Sequence, residues 1–176
     1  CRRLGGGFGG KETEPNLVSS ITAVAALRCK RPVKLRLDRD DDILITGRRH
    51  AFDFDYEVGY DNEGRILGLE ITMISNAGFS CDLSPPIMIR ALCNVDGSYW
   101  IPDFAAHGYM AKTNTQSNTA FRGFGAPQGA MAIESIIETI ASKLKRDPLE
   151  IRRINFYGTT ERNVTHYQMP VEDNIL

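Results

Sequence analysis

No two of the four cysteines, Cys1, Cys29, Cys81 and Cys93, stand at CxxC spacing, and the three histidines, His50, His107 and His166, are scattered singly. A zinc knuckle or an iron–sulfur loop is therefore not readable. Two disulfides or scattered reduced thiols remain open, and reduced thiols in a cytoplasmic protein are the plainer reading. No apolar run is long enough to cross a membrane, and no secretory leader is visible. Neither sign of charge dominates, since 21 Lys and Arg face 22 Asp and Glu for a net charge of −1. That argues against a surface given over to nucleic acid, while leaving room for a local anion site. Internal repeats and low-complexity linkers are lacking too. So is a starting Met: the chain opens on Cys1 and closes on "VEDNIL", and it reads as a piece of something larger.

Two short motifs fall away on inspection. "DRDDD" at 38–42 lacks the glycine and terminal glutamate of a calcium loop and reads as a solvated charged bend. "NVT" at 163–165 fits a glycosylation pattern without the secretory context that would give it meaning.

What is present suits a soluble globular chain, with 42% apolar and 24% charged residues in 176. In "NLVSSITAVAALRCKRP", Leu17, Ile21, Val24 and Leu27 recur at helical spacing, and Pro32 closes the segment. "PVKLRLDR" alternates Val33, Leu35 and Leu37 as a half-buried strand would. Residues 51–75 read as a long antiparallel hairpin: Phe52, Phe54, Tyr56 and Val58 alternate on the way out, and Leu67, Leu69, Ile71 and Met73 on the way back. A short helix is expected in "LSPPIMIRALCN" and a strand in "AAHGYMAKTNT". A strong helix carries Ile133, Ile137, Ile140 and Leu144 on one stripe, and Asp147 and Pro148 start another. The predicted class is α+β: an antiparallel sheet containing the hairpin, with helices near 16–29, 126–145 and 148–156 packed around it. The 1–176 chain is expected to be one partial domain, divisible into a sheet-rich part near 1–120 and a helical part near 121–176.

The chemistry concentrates in two Gly-Phe loops. "GGGFGGKE" has neither the spacing of a dinucleotide fingerprint nor the Ser or Thr that follows the lysine of a Walker loop. It is either a binding loop or a tight structural turn. The second loop, "NTAFRGFGAPQGA", precedes the strong helix, and backbone N–H groups at a helix mouth suit an anion to which Arg122 could add donors. Two such loops together favour a shared cofactor cleft. Glu12 is either an acid at a helix start or a functional carboxylate. Arg90, inside the apolar "IMIRALC", must pair or reach a cavity. Phe121 and Phe124 are open to a core role or a platform role, and the histidines read as surface or hydrogen-bonded residues.

Four separated stretches, "RRLGGGFGGKE", "LDRDDDILITGRRHAF", "ISNAGFSCDLSPPIMIRAL" and "KTNTQSNTAFRGFGAPQG", agree in order and spacing with one family. Over essentially its whole length the chain resembles the molybdenum-binding part of the xanthine dehydrogenase and aldehyde oxidase family. The resemblance implies a molybdenum–molybdopterin cofactor, or its dinucleotide form, that hydroxylates a carbon next to a ring nitrogen with water as the oxygen source. Electrons would leave through [2Fe-2S] clusters and FAD to NAD or oxygen, all held by other domains or subunits. Carried over residue by residue, the Phe8–Gly9 backbone lies against the metal's apical side. Arg122 belongs to the cofactor environment, and Phe121 positions the same loop. Phe124 stacks on a flat substrate. Glu12 and Arg90 match the substrate-pocket glutamate and arginine of the xanthine dehydrogenases, whose aldehyde-oxidising relatives carry less polar residues there. A purine substrate follows, with Glu12 meeting ring N–H groups and Arg90 a carbonyl oxygen as negative charge builds.

The chain also departs from that pattern. The family's catalytic base, a glutamate in a distant "GE"-type segment, has no counterpart here, and the glutamine-bearing loop and later pterin loops are missing. The fragment alone is thus expected to be inactive and to keep little or no cofactor. The segment "NFYGTTERNVTHYQ" looks more bacterial than animal. The competing readings are an aldehyde oxidase or other azaheterocycle hydroxylase, and a non-catalytic structural or assembly domain that kept the scaffold.

Overall fold

The structure is a computed structural model that describes residue 3 and residues 5–171. Cys1 and residues 172–176, most of "VEDNIL", lie outside the described residues. The elements run α1 (Pro15–Cys29), α2 (Arg39–Ile45), β1 (Phe52–Tyr60), β2 (Ile66–Gly78), α3 (Ser84–Leu92), β3 (Asp103–Lys112), α4 (Ala126–Leu144) and α5 (Pro148–Asn155). The α+β class expected from the sequence holds.

β1 and β2 form the long hairpin, and the sheet order is β1-β2-β3. At its start β2 lies beside the start of β3: a Cβ on Gly68 would stand 3.5 Å from Asp103. At its end the Gly78 carbonyl accepts from Thr113 N at 3.0 Å, just past β3. β3 therefore runs parallel to β2 and is reached through the α3 crossover, whose length suits such a connection. The antiparallel part of the sheet is the hairpin.

Two compact units interleave along the chain. The first comprises Cys1–Ala51, Ser75–Ile87 and Met110–Phe124, and the second Phe52–Ile74, Met88–Tyr109 and Gly125–Leu176. A single cut near residue 120 matches neither, because α4 and α5 share the second unit with the hairpin.

The second unit holds the apolar core. Leu69, Ile71 and Met73 of β2 pack with Ile133, Ile136, Ile137 and Ile140 of α4 and Ile151 of α5. Each such burial contributes roughly 1.5–3 kcal/mol. Along β2, Ile66 is buried while Leu67 is 50% exposed, so the core face changes phase at Leu67–Gly68 and Leu67 does not point inward as expected. Asn155, fully buried, stitches the hairpin turn to α5. Its Oδ1 accepts from Ile66 N at 2.8 Å, and its Nδ2 donates to the carbonyls of Gly64 and Ile151 at 2.9 Å. Asp147 caps α5 as expected, accepting from Leu149 N at 2.8 Å.

The first unit departs further from expectation. Residues 33–37 are not a strand, for their alternation finds no ladder among the described residues. "DRDDD" is not a bend but a helix start: Asp38 accepts from Asp41 N at 2.8 Å and caps α2. α1 forms where predicted, yet none of its residues is buried. Leu17, Ile21, Val24 and Leu27 are 51–79% exposed.

Candidate functional site

The first loop is wound by left-handed backbone. Phe8 has φ 55°, and Gly6, Gly9 and Gly10 also have positive φ. Lys11 Nζ donates to the Gly6 carbonyl and closes the turn. Phe8 is held out with 69% of its surface exposed. The second loop repeats the device, with Phe124 at φ 52° between Gly123 and Gly125, both at positive φ. A non-glycine residue in this region costs about 1 kcal/mol.

The two loops lie against each other in the first unit. A Cβ on Gly9 would stand 2.6 Å from the Ala120 carbonyl oxygen and 2.9 Å from Phe121 Cα, so only glycine allows the approach. By contrast a Cβ on Gly5 or Gly7 would meet nothing within 4 Å. Gly9 serves packing, whereas Gly5 and Gly7 leave open space beside the loop. The "GGGFGG" run is thus both a tight turn and a bare backbone wall.

Of the residues singled out from sequence, Phe8, Gly9, Phe121 and Arg122 fall together at this junction, with Phe121 and Arg122 exposed and Phe124 half-buried. Glu12 is exposed in the turn before α1 of the same unit. Arg90 belongs to the second unit, in the last turn of α3, and it is exposed. Burial was the reason for expecting it to need a partner or a cavity. The helix instead buries Ile87, Met88 and Ala91 and turns Ile89 and Arg90 outward.

The contacts of Glu14, Arg48, Arg49 and Thr119 are not legible in the sequence. Glu14 Oε2 accepts from Gly47 N at 3.0 Å, tying the first loop's exit to the segment after α2. Thr119 N donates to the Arg48 carbonyl at 2.9 Å. Arg49 Nη2 donates to the Arg122 carbonyl at 2.5 Å, and its guanidinium lies 4.7 Å from the Phe121 ring centroid. His50 is buried with Nε2 2.7 Å from Ser84 Oγ. Burial lowers the His50 pKa, against the opposing pull of Asp82 and of a hydrogen bond with the Thr119 backbone. The hydrogen-bonded reading of His50 is the one observed.

Residues 1–156 match the family model of the molybdopterin cofactor-binding domain. The chain belongs to that family. Its relatives include the xanthine dehydrogenase/oxidase of Gallus gallus, 47% identical over 171 residues that are 97% of this chain and 12% of the relative. The nicotinate hydroxylase hnxS of Emericella nidulans is 45% identical over 161 residues, 92% of this chain and 12% of the relative. Among solved structures, the aldehyde oxidoreductase of Desulfovibrio gigas superposes with a TM-score of 0.78 at 30% identity, over 89% of this chain and 17% of that one. This molybdopterin cofactor-binding domain thus spans about an eighth of its curated relatives' length.

The geometry fits the group that the family name implies. Among the described residues no three His, Cys, Asp or Glu side chains gather to hold a metal ion. What this chain offers is bare backbone at Gly5 and Gly7, with the exposed Arg122 on the adjoining loop. No helix among the described residues is long and apolar enough to cross a membrane.

Proposed function

We propose that this segment forms part of the cofactor bed and substrate pocket of a molybdenum-dependent xanthine dehydrogenase. The parent would hydroxylate hypoxanthine and xanthine toward urate. The observation that carries the reading is the seating of the Phe8–Gly9 loop against Ala120–Phe121, which sets two Gly-Phe loops side by side. When bound, the molybdenum–pterin group, in its simple or dinucleotide form, supplies oxygen transfer and two-electron oxidation.

The chain's own residues do the rest. The Phe8–Gly9 backbone would form one wall of the cofactor's seat, and Arg122 would donate hydrogen bonds to the group there. Phe124 offers a ring face to a planar heterocycle. Glu12 accepts from ring N–H groups or shares a proton with them. Arg90 donates to a carbonyl oxygen and offsets the negative charge that builds on the ring during attack. The [2Fe-2S] clusters, FAD and NAD belong to other parts of the parent, as does the catalytic base. Cys29, Cys81 and Cys93 are free and exposed, which suits a cytoplasmic setting. A bacterial source is part of the same reading and rests on the 155–168 stretch alone.

A second reading has a specific support. The similarity to a nicotinate hydroxylase nearly equals that to a xanthine dehydrogenase, so overall identity does not separate a purine from another azaheterocycle. Glu12 and Arg90 do the separating. Turnover of hypoxanthine, xanthine, nicotinate and an aromatic aldehyde by the cofactor-loaded parent, beside Glu12→Ala and Arg90→Met variants, tests it. Purine activity that falls at least a hundredfold in each variant with molybdenum retained supports the proposal. Nicotinate or aldehyde turnover without purine turnover, or indifference to both substitutions, retires it.

A further inference from the structure

We infer that Arg49 is a positioning residue for the cofactor and substrate loop, a role that rests on the reading of Phe121–Phe124 just given. One planar guanidinium serves two consecutive residues. Its face covers the Phe121 ring, with 4.7 Å from Cζ to the centroid, and its edge donates from Nη2 to the carbonyl of Arg122. A side chain held from above and a peptide held from the side leave that stretch of loop few ways to rotate. Lysine cannot reproduce the pair, because a point charge does not stack and donate in a fixed plane at once.

The neighbours of Arg49 act on the same loop. The Arg48 carbonyl receives Thr119 N, and His50 is hydrogen-bonded to the Thr119 backbone. The three consecutive residues 48–50 thus grip 119–122, and Arg49 reaches the part that leads into Gly123 and Phe124. Phe124 N in turn donates to the Phe121 carbonyl at 2.8 Å, so the turn that aims the Phe124 ring is built on the residue that Arg49 covers. Among the described residues Arg49 forms no ion pair, and its buried Nη1 has no hydrogen-bond partner. A buried donor left unpaired is costly. Surface charge balance therefore does not account for an arginine at 49, and its two contacts to the loop do.

The test uses the full-length, cofactor-loaded protein that carries this segment, with Arg49→Met and Arg49→Lys variants. Amide hydrogen exchange is followed over 119–124, and KM and kcat are measured for whichever planar substrate the enzyme turns over. In Arg49→Met, exchange in 119–124 should rise about tenfold while exchange in α4 stays unchanged. KM should rise about tenfold with kcat and molybdenum per chain held, and Arg49→Lys should not restore either quantity. Unchanged exchange in Arg49→Met overturns the assignment, and so does full restoration by lysine. Should Arg49→Met fail to fold, Phe121→Leu removes the ring and leaves Arg49 in place. It must loosen the same peptide, and unchanged exchange there overturns the proposal as well. Faster exchange in an enzyme that ignores purines leaves the positioning role standing and removes the purine reading.

Discussion

His50 and Ser84 are joined side chain to side chain inside the first unit, Nε2 to Oγ at 2.7 Å, with both residues buried. The bond ties the segment after α2 to the start of α3, 34 residues away. Burial is the largest influence on this imidazole and lowers its pKa, so the neutral ring is the folded form. Below its ordinary value of 6.5 the unfolded chain binds a proton that the folded chain resists. The stability that His50 lends is therefore in place above about pH 6.5 and is lost as pH falls through the lower folded value. Between pH 7.5 and 5 the melting temperature of the full-length protein should fall more than that of a His50→Gln variant. Parallel falls would show that His50 does not titrate in this way.

Asp96 shows the opposite sign. Burial raises its pKa above 3.8, against the hydrogen bond that Tyr157 donates at 2.8 Å. Its folded form favours the proton, so its contribution is most favourable below the unfolded pKa and is lost as pH rises through the folded one. Asp96→Asn keeps an oxygen for Tyr157 and removes the buried charge. Its melting temperature should equal or exceed the parent's at pH 7, with the gap closing toward pH 4. A variant less stable than the parent at pH 7 would refute this.

Asn155 is the polar residue whose loss should hurt most. Asn155→Ala leaves Ile66 N and the Gly64 carbonyl without the partners they now have in the interior. A cost of about 2–5 kcal/mol is expected. Proteolysis at increasing temperature, read at cut sites within the hairpin, measures it; an unchanged midpoint would mean that water reaches both groups.

Gly9→Ala should act on the cofactor rather than on the core. The new methyl group would stand 2.6 Å from the Ala120 oxygen at a φ of 105°, and both force the loops apart. Molybdenum per chain in the full-length variant should fall severalfold, with exchange protection in α4 retained. Full molybdenum content would show that the seating of the loops is dispensable for holding the group.

The hairpin and α4 were legible because their periodicity is strong and their partners lie in the same unit. The stripe of α1 has helical period as well, but burial depends on what packs opposite, and period alone does not supply that. Val33, Leu35 and Leu37 alternate without becoming a strand, since a strand needs a neighbour for its backbone groups. Asp38 carried an N-cap signal before "RDDDILI" that the run of acids obscured. At the site, the Gly-Phe motifs were visible as motifs. Arg49 was not, because what distinguishes it is a contact to a residue 73 positions on.

Phe8 and Phe124 each sit where backbone alone would choose glycine or asparagine, at φ 55° and 52°. A protein engineer optimising this segment for stability would be led to replace both, and each replacement could gain about 1 kcal/mol. Such a variant would be sturdier and would have lost two aromatic rings from its Gly-Phe loops. Under the proposed function, stability-guided redesign of this segment should hold positions 8 and 124 fixed. At both positions the sequence supplies a ring where the backbone prefers none, and the chain forgoes that stability to keep it.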